Sequence, residues 1–222
     1  MLGAPDGLFQ RLRQEAGAAW TAYTNHPFVR GLGDGTLPEP AFRKYLTQDY
    51  LFLIQFARAY GLAAYKAQTL EDIRQAAGGL QAIADVEMRL HVMFCQGWGL
   101  TEADMQAAPE APETMAYTRY VLECGLAGDL LDLHVALAPC ILGYGEIGAA
   151  LARAPTPGNP YQAWIDMYAG EEYQAAAAAE ADQLDRLMRR RGGDGRWTDL
   201  ARIFTQATEL EAAFWDMGWR AA

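Results

Sequence analysis

The stretch LDLHVALAPCILGYGE, residues 131–146, is the segment that most strongly indicates the fold. Its residues follow a helical pattern, and we expect this helix to open at Asp129 and to run to about Arg153. Pro139 lies inside the pattern, where it cannot donate a main-chain hydrogen bond and its ring pushes the preceding turn open. The segment therefore predicts a helix with a kink near its middle.

Cys140 directly follows this proline, and Tyr144 lies four residues further on, on the same face of the helix. Gly143 and Gly145 flank the tyrosine, although a glycine inside a helix costs about 1 kcal/mol against alanine. So unfavourable a run suggests a cavity, which makes Cys140 a candidate nucleophile. The residues alone equally allow an inert thiol in a close-packed helix, because a lone cysteine is more often a core residue.

The rest of the chain also predicts helices, since apolar residues recur at spacings of three and four and β-branched residues are sparse. Thr36, Thr69 and Thr101 each begin a sequence typical of a helix N-terminus. The glycine-rich stretch 31–35 is interpreted as a turn. The predicted helices span residues 8–24, 36–66, 69–96, a short stretch from 101, 113–126, 128–153, 162–169, 171–191 and 198–219. We therefore expect an all-α, single-domain helical bundle over residues 1–222.

Composition narrows the classes of function. Of 222 residues, 51% are hydrophobic, and the formal net charge is −10. Such a chain is not disordered, and its acidity argues against nucleic acid or an anionic membrane as a partner. The arginines between 186 and 196 are better explained as a helix C-terminus, where they complement the helix dipole. Three cysteines without a disulfide pattern, and an N-terminus unlike a signal peptide, predict a cytoplasmic protein. The apolar stretches 51–57 and 135–142 are too short to cross a membrane.

Few side chains suit metal-based or histidine-based catalysis, because the chain has only three histidines. Aromatic residues are numerous by comparison, with 6 Trp, 11 Tyr and 8 Phe. Glu87 and His91 lie one helical turn apart, and Glu146 could approach from another helix. The paired motifs of a di-iron bundle are nevertheless missing from the sequence, so we expect no metal and no cofactor. Asp49 and Glu211 lie among apolar and aromatic neighbours. A carboxyl that faces inward suits a general acid, but the residues alone favour a surface position for Glu211 beside a core phenylalanine.

Further motifs connect these residues. They are His26-Pro27-Phe28-Val29 with the stretch from Gly31 to Pro38, then Phe42 with Tyr45-Leu46 and Gln48-Asp49-Tyr50-Leu51, and then Phe56-Ala57-Arg58. With the run from Pro139 to Tyr144, they resemble the TenA/thiaminase II family of aminopyrimidine hydrolases, in its cysteine-nucleophile branch, over nearly the whole chain. The resemblance implies the haem-oxygenase-like all-α fold and a homotetramer.

The resemblance also implies roles for the polar residues. Cys140 matches the nucleophile, and Tyr117 matches a tyrosine that assists the thiol. Glu211 matches the acid that supplies protons. Asp49 matches the carboxylate that grips the edge of the aminopyrimidine.

Aromatic residues complete the implied site. Tyr144 and Tyr168 match pocket tyrosines that contact the ring, and Phe214 matches a pocket wall. Phe52 departs from the pattern, because many members have a second assisting tyrosine at this position. The missing hydroxyl predicts lower turnover with intact ring packing.

The resemblance therefore implies an enzyme of thiamin salvage. It would convert 4-amino-5-aminomethyl-2-methylpyrimidine to 4-amino-5-hydroxymethyl-2-methylpyrimidine with release of ammonia, and hydrolyse thiamin more slowly, through a covalent adduct on Cys140. A pyrimidine-binding or regulatory protein with weak or no catalysis is the alternative, which Phe52 favours. A cofactor-synthesis oxidase of the pyrroloquinoline-quinone type ranks last, because the sequence is poor in histidine.

Overall fold

Every regular element in the computed structural model, which describes residues 2–221 apart from the side chains at 86 and 194, is a helix. In chain order the α-helices are α1 (Leu8–Thr24), α2 (Pro27–Asp34), α3 (Glu39–Lys66), α4 (Leu70–Gln81), α5 (Met88–Gly97), α6 (Glu102–Ala107), α7 (Pro112–Ala127), α8 (Leu130–Leu151), α9 (Gln162–Ala169), α10 (Glu171–Arg191) and α11 (Trp197–Trp219). A π-helical turn, Ala82–Glu87, joins α4 to α5, and a 3₁₀ turn, Asp194–Arg196, precedes α11. The prediction of an all-α fold is confirmed.

Helix α8 lies at the centre of the core, because it packs against α7, α9, α10 and α11 and most of its residues are buried. By length and composition alone it could cross a membrane, so its apolar segment extends beyond the predicted stretch 135–142. However, 83% of its most apolar window is buried inside the fold. Helix α8 is therefore a core helix, and it brings Cys140 to the middle of the bundle.

Three helices begin at the polar caps that the sequence predicts. The Thr69 side chain accepts a hydrogen bond from the N–H of Asp72 at the start of α4. Thr101 and Asp104 cap α6 reciprocally, and Asp129 opens α8 with the same reciprocal arrangement. These contacts satisfy N–H groups that have no partner within their own helix.

The prediction of a turn over residues 31–35 is wrong, because most of these residues belong to helix α2. Pro27 occupies its first turn, where a missing N–H costs nothing. The imidazole of His26 accepts a hydrogen bond of 3.1 Å from the N–H of Phe28 and caps the helix. The helix ends at Gly35, whose left-handed φ of 76° suits glycine.

Helix α3 begins without the predicted threonine cap. The N–H and the hydroxyl of Thr36 both donate to the Asp34 carboxylate, at 2.9 and 2.6 Å. This local turn competes with capping, and Pro38 stands at the helix start with no side-chain bond. The helix still runs to Lys66, as predicted, and carries Asp49 on its buried side.

The helix predicted over 69–96 contains the π-helical turn Ala82–Glu87 between α4 and α5. Such turns occur often at functional sites, since the wider turn changes the face on which later side chains emerge. Glu87 is the last residue of this turn, and its side chain faces the site described below.

Candidate active site

Cys140 lies on α8 directly after Pro139, and the helix continues through the proline. The Tyr23 hydroxyl donates to the carbonyl of Pro139 at 3.3 Å. A methyl group on Gly143 would lie only 2.3 Å from the Tyr23 ring, so this glycine is required for the close approach of the tyrosine. The thiol of Cys140 is free and 8% exposed.

Burial raises the pKa of the Cys140 thiol well above its ordinary value, and the neighbouring acidic groups of Glu211, Glu87 and Asp49 raise it further. The resting thiol is therefore protonated at neutral pH. A thiol becomes a nucleophile only when its proton is taken away, so the site needs an acceptor beside the sulfur.

Glu211 on α11 is the candidate for that acceptor. It is 1% exposed, and the Tyr117 hydroxyl on α7 donates to its Oε1 at 2.9 Å. Burial raises the pKa of Glu211 to about 8, against the opposing hydrogen bonds from Tyr117 and Cys140. Glu211 therefore faces inward and does not take the surface position that the residues alone favour, and its carboxyl is mainly protonated at neutral pH.

Asp49 on α3 is held from behind by His91. The Nε2 atom of His91 lies 2.6 Å from Asp49 Oδ2, and its Nδ1 lies 2.7 Å from the carbonyl oxygen of Glu87. Burial alone would lower the pKa of His91, but the Asp49 carboxylate and the Glu87 carbonyl raise it overall. The sequence indicates Glu87 and His91 only as a weak candidate pair of metal ligands. In the structure, His91 contacts the Asp49 carboxylate instead.

Glu87 is a further acid at this site that the sequence did not assign to it. Its Oε2 accepts a hydrogen bond of 3.3 Å from the Tyr168 hydroxyl. Burial raises the pKa of Glu87 to about 7, the nearby Asp49 raises it too, and His91 and Tyr168 oppose the shift. The i, i+4 spacing of Glu87 and His91 was the one available signal, but the spacing alone could not show what either residue contacts.

The predicted aromatic residues surround the polar ones. Phe52 lies 5.0 Å from Tyr117 and 5.5 Å from Phe214, measured between ring centres. Tyr144 and Tyr168 lie 4.9 Å apart on the other side of the group, and Tyr168 reaches Glu87. The aromatic residues predicted for the site therefore lie in the buried interior together with its carboxyl groups.

A cavity of about 590 Å³ opens beside the thiol. Cys140 and Glu87 line it, together with the aromatic rings of Phe56, Tyr60 and Tyr173. The other predicted residues lie behind this wall in the packed interior: Asp49, Phe52, Tyr117, Tyr144, Tyr168, Glu211 and Phe214. Cys140 and Glu87 therefore belong to the buried group of acids and rings and also line the open chamber.

The remaining candidate metal ligand is occupied elsewhere. Glu146 accepts hydrogen bonds from Arg13 at 2.9 Å and from the indole of Trp20 at 3.2 Å. Over residues 2–221, excluding the two undescribed side chains, no three His, Cys, Asp or Glu residues are grouped as metal ligands. The arginine cluster is also engaged in ion pairs. Arg190, in the last turn of α10, and Arg196, just beyond it, bond to Asp72 and Asp132, each at 2.7 Å.

Comparison with known proteins identifies the family. A family model described as TENA/THI-4/PQQC matches residues 13–221. The chain belongs to this family. Among its relatives, an aminopyrimidine aminohydrolase from Halalkalibacterium halodurans is 35% identical over 210 residues, which cover 94% of this chain and 93% of that one. The resemblance inferred from the sequence motifs is thereby confirmed.

Solved structures agree with this assignment. A TenA family transcription regulator from Silicibacter sp. superposes with a TM-score of 0.92 at 47% identity, covering 98% of this chain and 97% of that one. A domain with a heme oxygenase-like fold from Shewanella denitrificans superposes with a TM-score of 0.70 at 14% identity, covering 96% and 92% of the two chains. The TENA/THI-4/PQQC chain therefore has the haem-oxygenase-like fold that the sequence predicts.

Proposed function

We propose that this protein is an aminopyrimidine aminohydrolase of thiamin salvage, which replaces the amine on the methylene arm of an aminopyrimidine by a hydroxyl group. The observation that carries the proposal is a buried thiol, Cys140, whose pKa is raised by burial and by the neighbouring acid Glu211, to which the Tyr117 hydroxyl donates a hydrogen bond. Relatives named aminopyrimidine aminohydrolase support the same reaction class.

In the first half of the proposed reaction, the sulfur of Cys140 adds to the ring carbon next to the one that bears the arm. A neutral carboxyl both donates and accepts, so Glu211 gives its proton to the ring nitrogen as it takes the proton of the thiol. The second oxygen of Asp49 accepts from the amino group of the ring and fixes its orientation. The adduct is a non-aromatic ring with a new C–S bond.

In the second half, the electron pair of the ring breaks the C–N bond of the arm's ammonium group, which leaves as ammonia. Water adds to the exocyclic methylene and gives up one proton. The C–S bond then breaks, and the ring regains its aromaticity as the ring nitrogen returns its proton to Glu211 and Glu211 returns a proton to the thiol. The net change is exchange of an amine for a hydroxyl by water. The covalent adduct divides one difficult displacement into two easier steps.

Ammonia release from 4-amino-5-aminomethyl-2-methylpyrimidine tests the proposal. Wild-type protein should release ammonia, and Cys140→Ser should lose nearly all of that activity. Cys124→Ser is the matched control, because Cys124 is a free, half-buried thiol on α7 that does not line the cavity. Absence of turnover in the wild type, or equal turnover in Cys140→Ser, would refute the proposal. Thiamin, offered in the same assay, is the proposed slower substrate.

A pyrimidine-binding or regulatory role is the second candidate. Phe52 favours it, because the implied hydroxyl is missing beside Tyr117. The Silicibacter protein described as a transcription regulator is in keeping with it. Tight binding of hydroxymethylpyrimidine by calorimetry, together with negligible ammonia release, would favour this candidate over the enzyme.

We further propose a cytoplasmic homotetramer. Exposed apolar side chains support association, since Tyr65 is 86% exposed and Leu126 63% exposed. Light scattering should give about four times the chain mass of 24.4 kDa. A mass of one chain at micromolar concentration would contradict the tetramer.

A further inference from the structure

The cavity beside Cys140 is far larger than the amine of an aminomethyl arm requires. Its volume is about 590 Å³, whereas one water molecule occupies roughly 30 Å³ in the liquid. Pockets of this size hold small organic molecules. Cys140 and Glu87 both line the chamber, so an arm on a ring held at the thiol can reach this carboxylate.

Charge in this chamber is strongly one-sided. Of the described residues that line it, five are acidic and one, Arg74, is basic. The acidic residues are Glu87, Asp166, Glu171, Glu172 and Glu180. A cleft lined by one sign of charge raises the local concentration of ligands of the opposite sign, so this chamber attracts cations.

The two inner carboxylates differ in how they are bonded. Glu180 is 1% exposed and both its oxygens are engaged, one by His134 at 2.6 Å and the other by Gln75 at 2.8 Å. Glu87 binds Tyr168 through Oε2 alone, and no donor among the described residues reaches its Oε1. Glu87 is therefore the inner carboxylate with an oxygen free for a ligand, and it lies on the cavity wall with Cys140.

Aromatic rings form another part of the wall. Phe56, Tyr60 and Tyr173 line the chamber, and Phe56 and Tyr60 meet edge to face with ring centres 6.2 Å apart. The faces of such rings attract organic cations when water is excluded. A carboxylate combined with aromatic rings is a suitable environment for an ammonium group or a cationic heteroaromatic ring.

We propose that this cavity is a subsite for a positively charged arm of the substrate and that Glu87 selects for the positive charge. The inference rests on the proposed hydrolysis of aminopyrimidines, because the positive charge lies on the nitrogen that this reaction displaces from the methylene arm. Glu87 pairs with the cationic nitrogen nearest the thiol, and the aromatic wall contacts the part of the arm beyond it. A primary ammonium or a larger cationic ring satisfies this subsite, whereas a neutral arm leaves Glu87 unpaired.

Two ligands of nearly equal size test the selection, one with an aminomethyl arm, which is cationic, and one with a hydroxymethyl arm, which is neutral. Calorimetry on Cys140→Ser measures binding without turnover. We expect this protein to prefer the cation by about tenfold or more, and Glu87→Gln in the same background to lose most of that preference. Glutamine keeps an acceptor for Tyr168, so the change removes charge and preserves the hydrogen bond. Glu87→Asp should retain most of the preference.

Glu15→Gln is the matched control, because it removes one negative charge from an exposed position on α1 outside the cavity. An unchanged preference in Glu87→Gln would overturn the inference. An equal loss of affinity for both ligands would overturn the inference as well, since such a result would show that Glu87 supports the pocket without recognising charge. If neither ligand binds Cys140→Ser, the aminopyrimidine assignment fails and the inference falls with it.

Discussion

His91 and Asp49 form a buried pair in which Nε2 lies 2.6 Å from Oδ2. The other ring nitrogen faces the carbonyl of Glu87, which only accepts, so Nδ1 carries a hydrogen. The pair occupies Oδ2 of Asp49 and fixes the direction of its carboxylate. Functional side chains need such support from behind to keep one geometry.

Removal of His91 should therefore destabilise the protein. His91→Ala leaves the Asp49 carboxylate buried without its partner, which costs about 3–5 kcal/mol of unfolding free energy in comparable buried pairs. Urea denaturation measures the change. The double variant Asp49→Asn/His91→Ala should lose less than the sum of the single variants, since the stranded charge is gone. Additive losses would show that the two side chains do not depend on each other.

Stability should fall as pH rises between 4.5 and about 8, because two carboxyls hold protons in the folded protein. Burial raises the pKa of Glu211 to about 8 and that of Glu87 to about 7, from an ordinary value of 4.5. Over this range the folded protein binds more protons than the unfolded chain, so the unfolding free energy decreases with pH.

Glu211→Gln should flatten the upper part of this dependence, above the pKa of Glu87. Urea denaturation of wild type and variant at a series of pH values measures the two slopes. Glu209→Gln is the control, since Glu209 is exposed on the same helix. Identical slopes in the wild type and Glu211→Gln would be incompatible with a buried protonated carboxyl at position 211.

A hydroxyl restored at position 52 should raise turnover. Phe52 packs 5.0 Å from the Tyr117 ring, so Phe52→Tyr would add a hydroxyl group beside the tyrosine that bonds to Glu211. We expect kcat for ammonia release to rise several-fold with little change in KM. The control Phe94→Tyr adds the same group to a ring that packs on Phe42 and Trp98 instead. An unchanged kcat in Phe52→Tyr would mean that the missing hydroxyl does not limit turnover.

Much of the fold could be predicted from the sequence, because local signals set the helix ends. The bounds of α9 and α10 agree with prediction to the residue, since Gly170 and Gly192 end them. The start of α3 could not be predicted, because Thr36 has two possible partners and the Asp34 carboxylate forms the local turn. A capping pattern does not show which competing hydrogen bond is stronger.

The candidate site was predicted unevenly for a similar reason. Cys140 could be singled out because a proline precedes it and two glycines follow it. Glu211 could be singled out because aromatic residues follow it in the sequence. The role of His91 depends on Asp49, 42 residues away, and on the π-helical turn that turns Glu87 toward the thiol. Spacing within one helix carries no information about such distant partners.

The glycine beside the thiol offers a test of packing that needs no substrate. In Gly143→Ala the new methyl group would lie 2.3 Å from the Tyr23 ring, so the ring must move and its bond to the Pro139 carbonyl is strained. Overpacking of this kind costs about 1–3 kcal/mol. Gly61→Ala is the matched control, because a methyl group there meets no atom within 4 Å on an exposed face of α3. It should stabilise the protein by about 0.5–1 kcal/mol through helix propensity alone. Thermal and urea unfolding should therefore move in opposite directions for the two variants, and a stabilised Gly143→Ala would show that Tyr23 does not pack as described.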